Sequence, residues 1–171
     1  YHYIWNLAWL RQLHGADPQL ATQAYMRLAP ELFQEEPRVG AWNHGAAISL
    51  ADWMRRSGDA VTANSLLEKS LSVISQTTDP FYPPARATAY LLQGDTQRAL
   101  AALREAVEGG WRNGWWLLER EPIYEPLWEL PEFQALMSEV EAEMARQLAN
   151  LREMERNGEL EPIPEVSVTT P

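Results

Sequence analysis

The sequence predicts an all-α chain of helical hairpins, closed by an aromatic segment and one long helix. Three observations carry that prediction. The dipeptide Gly-Asp occurs at Gly58-Asp59 and again at Gly94-Asp95, 36 residues on, each time between two stretches with apolar residues at helical spacing. The stretches that follow correspond at the same offset, Ala63 with Ala99, Leu67 with Leu103 and Leu71 with Val107. From Pro131 to Asn157-Gly158, the residues Phe133, Leu136, Met137, Val140, Met144, Leu148, Leu151 and Met154 are spaced by threes and fours.

Taken in order, the chain opens with a less regular copy of the hairpin. Tyr3 to Leu13 is helix-compatible, His14-Gly15-Ala16-Asp17-Pro18 is a turn, and Gln19 to Leu28 is a second helix. Pro18 suits the first turn of that helix, where its missing amide costs nothing. Glu31 to Gly40 is a longer connector that interrupts the period. The next copy, spanning 44–77, ends its first helix at Gly58-Asp59 and resumes from Ala60 to Ser75; the third repeats this with Arg86 to Asp95 and Thr96 to Glu108. Glycine takes the left-handed conformation that stops a helix at little steric cost, and Asp then caps the next by accepting from its free amides. On the last of these helices Ala99, Leu100, Leu103, Ala106 and Val107 form one stripe, and the two small alanines let a neighbouring helix approach closely.

Beyond Gly109-Gly110 the pattern changes. Trp111 to Pro131 is rich in aromatics and proline, which predicts short helices and turns. The long helix follows, about 27 residues against the 10–14 usual for globular proteins. Residues 159–171 carry three prolines and no periodicity, and are expected to be flexible or laid along the surface. The expected organisation is therefore hairpins over 1–110, an aromatic cap with the long helix over 111–158, and a tail over 159–171.

Composition narrows the function. With 171 residues, 46% hydrophobic and 22% charged, the chain can bury one ordinary core. No apolar run is long enough to cross a bilayer, so no membrane insertion by this segment is expected. The first residue is Tyr1, not Met, which suits a processed or excised piece. Cysteine is absent, which removes disulfides, thiolate nucleophiles and Cys-ligated metals. The net charge of −10 argues against direct nucleic-acid binding, which needs clustered Lys and Arg. That charge is concentrated: Glu119 to Glu165 holds thirteen Glu, no Asp and four Arg. A solvated helix face is the plain explanation, and an acidic docking surface the alternative.

Gly94 to Val107, with Ala87 and Tyr90 before it, resembles a tetratricopeptide repeat. Ala87, Tyr90, Gly94, Asp95, Ala99 and Ala106 stand at that repeat's small, aromatic, turn and alanine positions. The copy at 44–77 keeps Leu50, Ala51, Gly58, Asp59 and Ala63, but has Met54 for the aromatic and Ser70 for the second alanine. The proline expected after each second helix is missing, and the first copy keeps little beyond Leu7, Ala8 and Gly15. Glu108 to Arg152 in turn resembles the C-terminal ends of bacterial multidomain regulatory proteins. Those carry such repeats behind a winged-helix, nucleotide-cyclase or Ser/Thr-kinase domain. The resemblance implies a protein-interaction or sensory module with a concave groove lined by first helices. Carried across, the groove positions are Trp5 and Trp9 in the first copy, Asp52, Arg55 and Arg56 in the second, and Thr88 and Leu92 in the third. Arg55 and Arg56 would grip a partner's carboxylate, while the alternative for Trp5 and Trp9 is packing on an upstream helix. In many such proteins a membrane helix precedes the repeats, which implies a periplasmic place; cytosolic relatives are also common, and the sequence itself leaves the compartment open.

Chemistry is sparse. His2, His14 and His44 have no His partner at helical spacing, and no phosphate-binding glycine string is present, so neither a metal nor a cofactor is expected. Glu139 and Glu143 are paired carboxylates on a helix read as exposed, where solvated charge is the expectation rather than acid–base catalysis. No enzyme active site is expected. Trp111, Trp115, Trp116, Tyr124 and Trp128 gather in the closing segment, as a hydrophobic end cap or, alternatively, a small-molecule pocket. The expected partner is a protein or peptide, with a homodimer through the long helix as the second reading; substitution at Val140 and Met144 would separate the two.

Overall fold

The computed structural model describes residues 18–76 and 83–160, with side chains from residue 23 in the first stretch and residue 84 in the second. The helix expected from Tyr3 to Leu13, with Trp5 and Trp9, lies outside the described residues, as do His2, His14 and the tail from residue 161. Among the described residues the chain is all-helical, with no strand. Its α-helices are α1 (Pro18–Leu28), α2 (His44–Arg56), α3 (Ala60–Ile74), α4 (Pro83–Leu92), α5 (Thr96–Glu108), α6 (Glu125–Trp128) and α7 (Pro131–Arg156). Short 3-10 turns occupy Pro30–Phe33, Trp115–Leu117 and Pro122–Tyr124.

Both Gly-Asp turns fold as the sequence predicts. Gly58 has φ +91° and Gly94 φ +80°, which lets the chain reverse and satisfy the last carbonyls of α2 and α4. The amide of Asp59 donates to the Met54 carbonyl at 2.8 Å, and that of Asp95 to the Tyr90 carbonyl at 2.9 Å. Each Asp then accepts from an amide of the following helix, Thr62 at 3.0 Å and Arg98 at 2.9 Å. Gly110 ends α5 with the same reversal (φ +91°), Trp111 donating to the Ala106 carbonyl at 2.9 Å. The residue after it is Trp111, which supplies no capping oxygen, so no further hairpin of this kind starts there.

Among the described residues α2 with α3 and α4 with α5 form two hairpins, and α4 lies against both α2 and α3, so the later hairpin rests on the earlier. α4 divides its faces accordingly. Ala89 and Leu92 join a core with Tyr25, Leu32, Leu50, Trp53, Leu66 and Leu67. Ala87 and Leu91 join a second core with Ala99, Leu103, Ala106, Leu127, Phe133 and Leu136. Ala99 and Ala106 have no exposed surface, as expected of small residues at a close helix approach.

The closing segment covers the far side of this hairpin. The 3-10 turn at Pro122–Tyr124 touches α4, α6 touches α5, and α7 packs on α5. Only the first half of α7 is buried, through Phe133, Leu136, Met137 and Val140, with Met144 packed at the edge. The same stripe then runs on without cover: Leu148 is 48%, Leu151 50% and Met154 36% exposed.

Candidate functional site

The connector between α1 and α2 is the most worked piece of irregular chain among the described residues. After the Pro30–Phe33 turn its extended course leaves backbone groups that need partners. Asn43, 7% exposed, supplies several at once. Its Oδ1 accepts from the Gly40 amide at 2.8 Å, and its Nδ2 donates to Glu31 Oε1 at 2.9 Å and to the Arg38 carbonyl at 3.1 Å. The Arg38 amide donates to the Glu31 carbonyl at 3.0 Å. From α3, Lys69 Nζ donates to the Pro37 carbonyl at 2.8 Å. Ser70, fully buried, donates to the Leu66 carbonyl at 2.7 Å and leans on the His44 carbonyl at 3.4 Å, fastening the start of α2 to α3.

This fastened loop presents Trp42 with 88% of its surface exposed. Glu31, Arg38, Val39, Gly40, Trp42 and Asn43 line one open concavity. Tryptophan and arginine are among the residue types enriched at the hot spots of protein interfaces. Sequence reasoning missed Arg38, Trp42 and Asn43, because it read helical periodicity and this segment has none. The available signal was a tryptophan in a connector, outside the repeat that marks the hairpins.

Among the described groove positions, Asp52, Arg55, Arg56, Thr88 and Leu92 do not form one open surface. Asp52 and Arg56 form a two-bonded ion pair, at 3.1 Å from Nε and 3.0 Å from Nη2, and the Arg56 guanidinium lies 5.9 Å from the Trp53 ring centroid. The Arg56 fork is therefore filled by its own helix, while exposed Arg55 has only a long 3.5 Å contact to Asn64. Thr88 is turned into the molecule, its hydroxyl 2.9 Å from the Pro84 carbonyl and 2.7 Å from the Tyr124 hydroxyl. Leu92 is 6% exposed and belongs to the core between the hairpins, so it serves their contact rather than an open face.

In the aromatic segment the rings mostly face inward. Trp111 and Tyr124 are buried, Trp128 is half-buried with Nε1 donating to the Leu118 carbonyl at 2.8 Å, and Trp115 packs on the second core. Trp116 is 45% exposed and stands edge-on to Trp115 at 6.3 Å. The polar ends of Tyr124 and Trp128 are thus spent on the fold.

Perturbed titrations follow structure rather than chemistry. Burial pushes the Tyr25 phenol up to about 12, with Ser49 opposing it. Burial also raises the Tyr124 phenol, against the pull of Thr88. His44 is lowered by burial, in spite of the Ala41 carbonyl 3.0 Å from Nδ1. Asp59 and Asp95 are held down by their capping bonds to Thr62 and Arg98. Among the described residues no three His, Asp or Glu side chains converge as a metal site. Nor is any helix among them long and apolar enough to cross a membrane. Compared with known proteins, the chain matches no family model, no curated protein and no solved structure at a significant level.

Proposed function

We propose that this chain is a protein-interaction module, a tetratricopeptide-like array belonging to a larger bacterial regulatory or signalling protein. The resting of one hairpin on another, with like Gly-Asp turns, supports the architectural part of that reading. The observation that carries the functional part is Trp42, 88% exposed on a loop held by a buried Asn43. An exposed indole whose backbone is already ordered loses little conformational freedom on binding, so its contact area converts into affinity. The docking surface runs from Trp42 and Arg38, at the start of α2, to Arg55 at its end. Helical residues 44–54 lie between these ends, about 17 Å, the reach of a short peptide or one face of a domain. Arg38 and Arg55 favour a partner with carboxylates flanking an apolar side chain that stacks on the indole.

A photo-crosslinking residue placed at position 42 of the full chain, in cells of its natural host, tests this directly. Position 61 is the control, because Val61 is also highly exposed, at 83%. A single discrete adduct from position 42 and none from position 61 is expected. The Trp42→Ala chain, used as bait, should bind the identified partner at least tenfold more weakly with unchanged thermal stability. Equal capture by Trp42→Ala and wild type would sink the proposal.

A further inference from the structure

We infer that the uncovered half of α7 is a self-association surface, on which a second copy of this chain lies antiparallel. The stripe on α7 is continuous, but the fold uses only its first part. Phe133, Leu136, Met137 and Val140 are each no more than 3% exposed, whereas Leu148, Leu151 and Met154 stand open to water. Val140, named from the sequence as an interface position, is therefore a core residue; the surface consists of Met144, Leu148, Leu151 and Met154. An exposed helical segment of this length gains little stability alone and gains from lateral packing.

The occupant follows from symmetry and charge. Read along the helix, the stripe is Met-Leu-Leu-Met, nearly the same in both directions. An isologous contact requires a patch to match its own copy, and an antiparallel pair sets Met144 against the partner's Met154 and Leu148 against the partner's Leu151. The acidic excess also lapses along the open stripe. Residues 119–143 hold eight Glu against one Arg, but residues 144–156 hold three Arg against two Glu. Each free half carries a net charge of only +1, so two of them meet with little net repulsion. A parallel pair would bring the two strongly acidic segments side by side, and an antiparallel pair keeps them at opposite ends. Four residues on one helix make a contact well below the roughly 800 Å² per partner of a standard stable interface, so the dimer is weak and concentration-dependent. This inference stands apart from the Trp42 surface, which lies on a different element.

Sedimentation of the full chain from about 5 µM to about 1 mM tests it, a range that spans weak association. A reversible monomer–dimer equilibrium is expected, with Leu151→Glu monomeric throughout and unchanged in helicity and melting temperature, since Leu151 is 50% exposed. Orientation is read separately, because the chain has no cysteine of its own. Met144→Cys and Met154→Cys chains mixed in equal amounts should form the mixed disulfide several-fold faster than either symmetric one. A chain monomeric at 1 mM, a dimer indifferent to Leu151→Glu, or a preference for the symmetric disulfides would each overturn the proposal.

Discussion

Two segments of this molecule interrupt its hairpins with proline and tryptophan, and they use those residues in opposite ways. Between α1 and α2 the connector places polar groups inside and an aromatic outside: Asn43 is buried while Trp42 is 88% exposed. From Trp111 to Trp128 most rings pack inward, Trp116 excepted, and two polar ends bond to the fold, Trp128 to the Leu118 carbonyl and Tyr124 to Thr88. A cluster of aromatics in sequence is therefore no guide to a binding surface. What separates the two uses is where the polar atoms find partners. In the closing segment Tyr124 and Trp128 are satisfied internally, whereas Trp42 is left in water on an ordered backbone and remains available to something else.

The sharpest way to break this comparison is to remove one ring from each segment. Trp111, 8% exposed in the second core, is expected to cost about 3–5 kcal/mol as Trp111→Ala, measured by urea denaturation. A loss under about 1 kcal/mol would mean that the segment is a loose flap instead of a closure.

Asn43→Ala tests the other side. It deletes one accepted and two donated hydrogen bonds, taking a partner from the Gly40 amide, the Arg38 carbonyl and the Glu31 carboxylate. About 2 kcal/mol of destabilisation is expected, together with faster hydrogen exchange at residues 38–43. If exchange there is unchanged, the loop is ordered by something other than Asn43.

His44 gives the same region a pH signature. Burial lowers its pKa below the ordinary 6.5, so folding favours the neutral ring. Its contribution is fully present above pH 6.5 and is lost as pH falls through the lowered value. Stability is expected to decline on that acid side, well before the caps Asp59 and Asp95 titrate near the carboxylate range. His44→Gln should flatten the first decline and leave the second.

How much of this was legible beforehand divides along the same line. Both Gly-Asp turns and the length of α7 follow from local rules, since left-handed glycine, capping Asp and three-four spacing each act within a few residues of sequence. The inward position of Leu92 and the Thr88–Tyr124 contact depend on which elements meet, and Thr88 and Tyr124 are 36 residues apart. The open end of α7 carries the same spacing as its buried end, because periodicity marks an apolar face without saying what covers it. The Asn43-held loop was illegible for another reason: its order comes from one side chain bonding to backbone groups, which leaves no repeat to detect.

Two tyrosines refine the argument at smaller scale. Both are buried, yet Tyr124 has Thr88 within 2.7 Å whereas the Tyr25 hydroxyl makes no hydrogen bond of good geometry, Ser49 opposing its burial only in part. Tyr124→Phe is expected to lose about 1 kcal/mol, and Tyr25→Phe to lose nothing or gain up to about 1 kcal/mol by removing an unsatisfied group. Both phenols are raised above 10, so their share of stability is present below pH 10 and is lost as pH rises through the folded values. Each Phe variant should blunt the alkaline decline.

The smallest expected effect on stability is at the residue given the largest role in binding. Trp42→Ala removes a side chain that the fold scarcely touches, so the change should stay within about 0.5 kcal/mol. That null result has content only beside the Asn43→Ala loss, because together they separate the platform from what it displays. If Trp42→Ala were to cost 2 kcal/mol or more in the isolated chain, the indole would be packing against the molecule itself. The contrast between an inward cap and an outward anchor would then collapse, and the docking surface would have to rest on Arg38 and Arg55 alone.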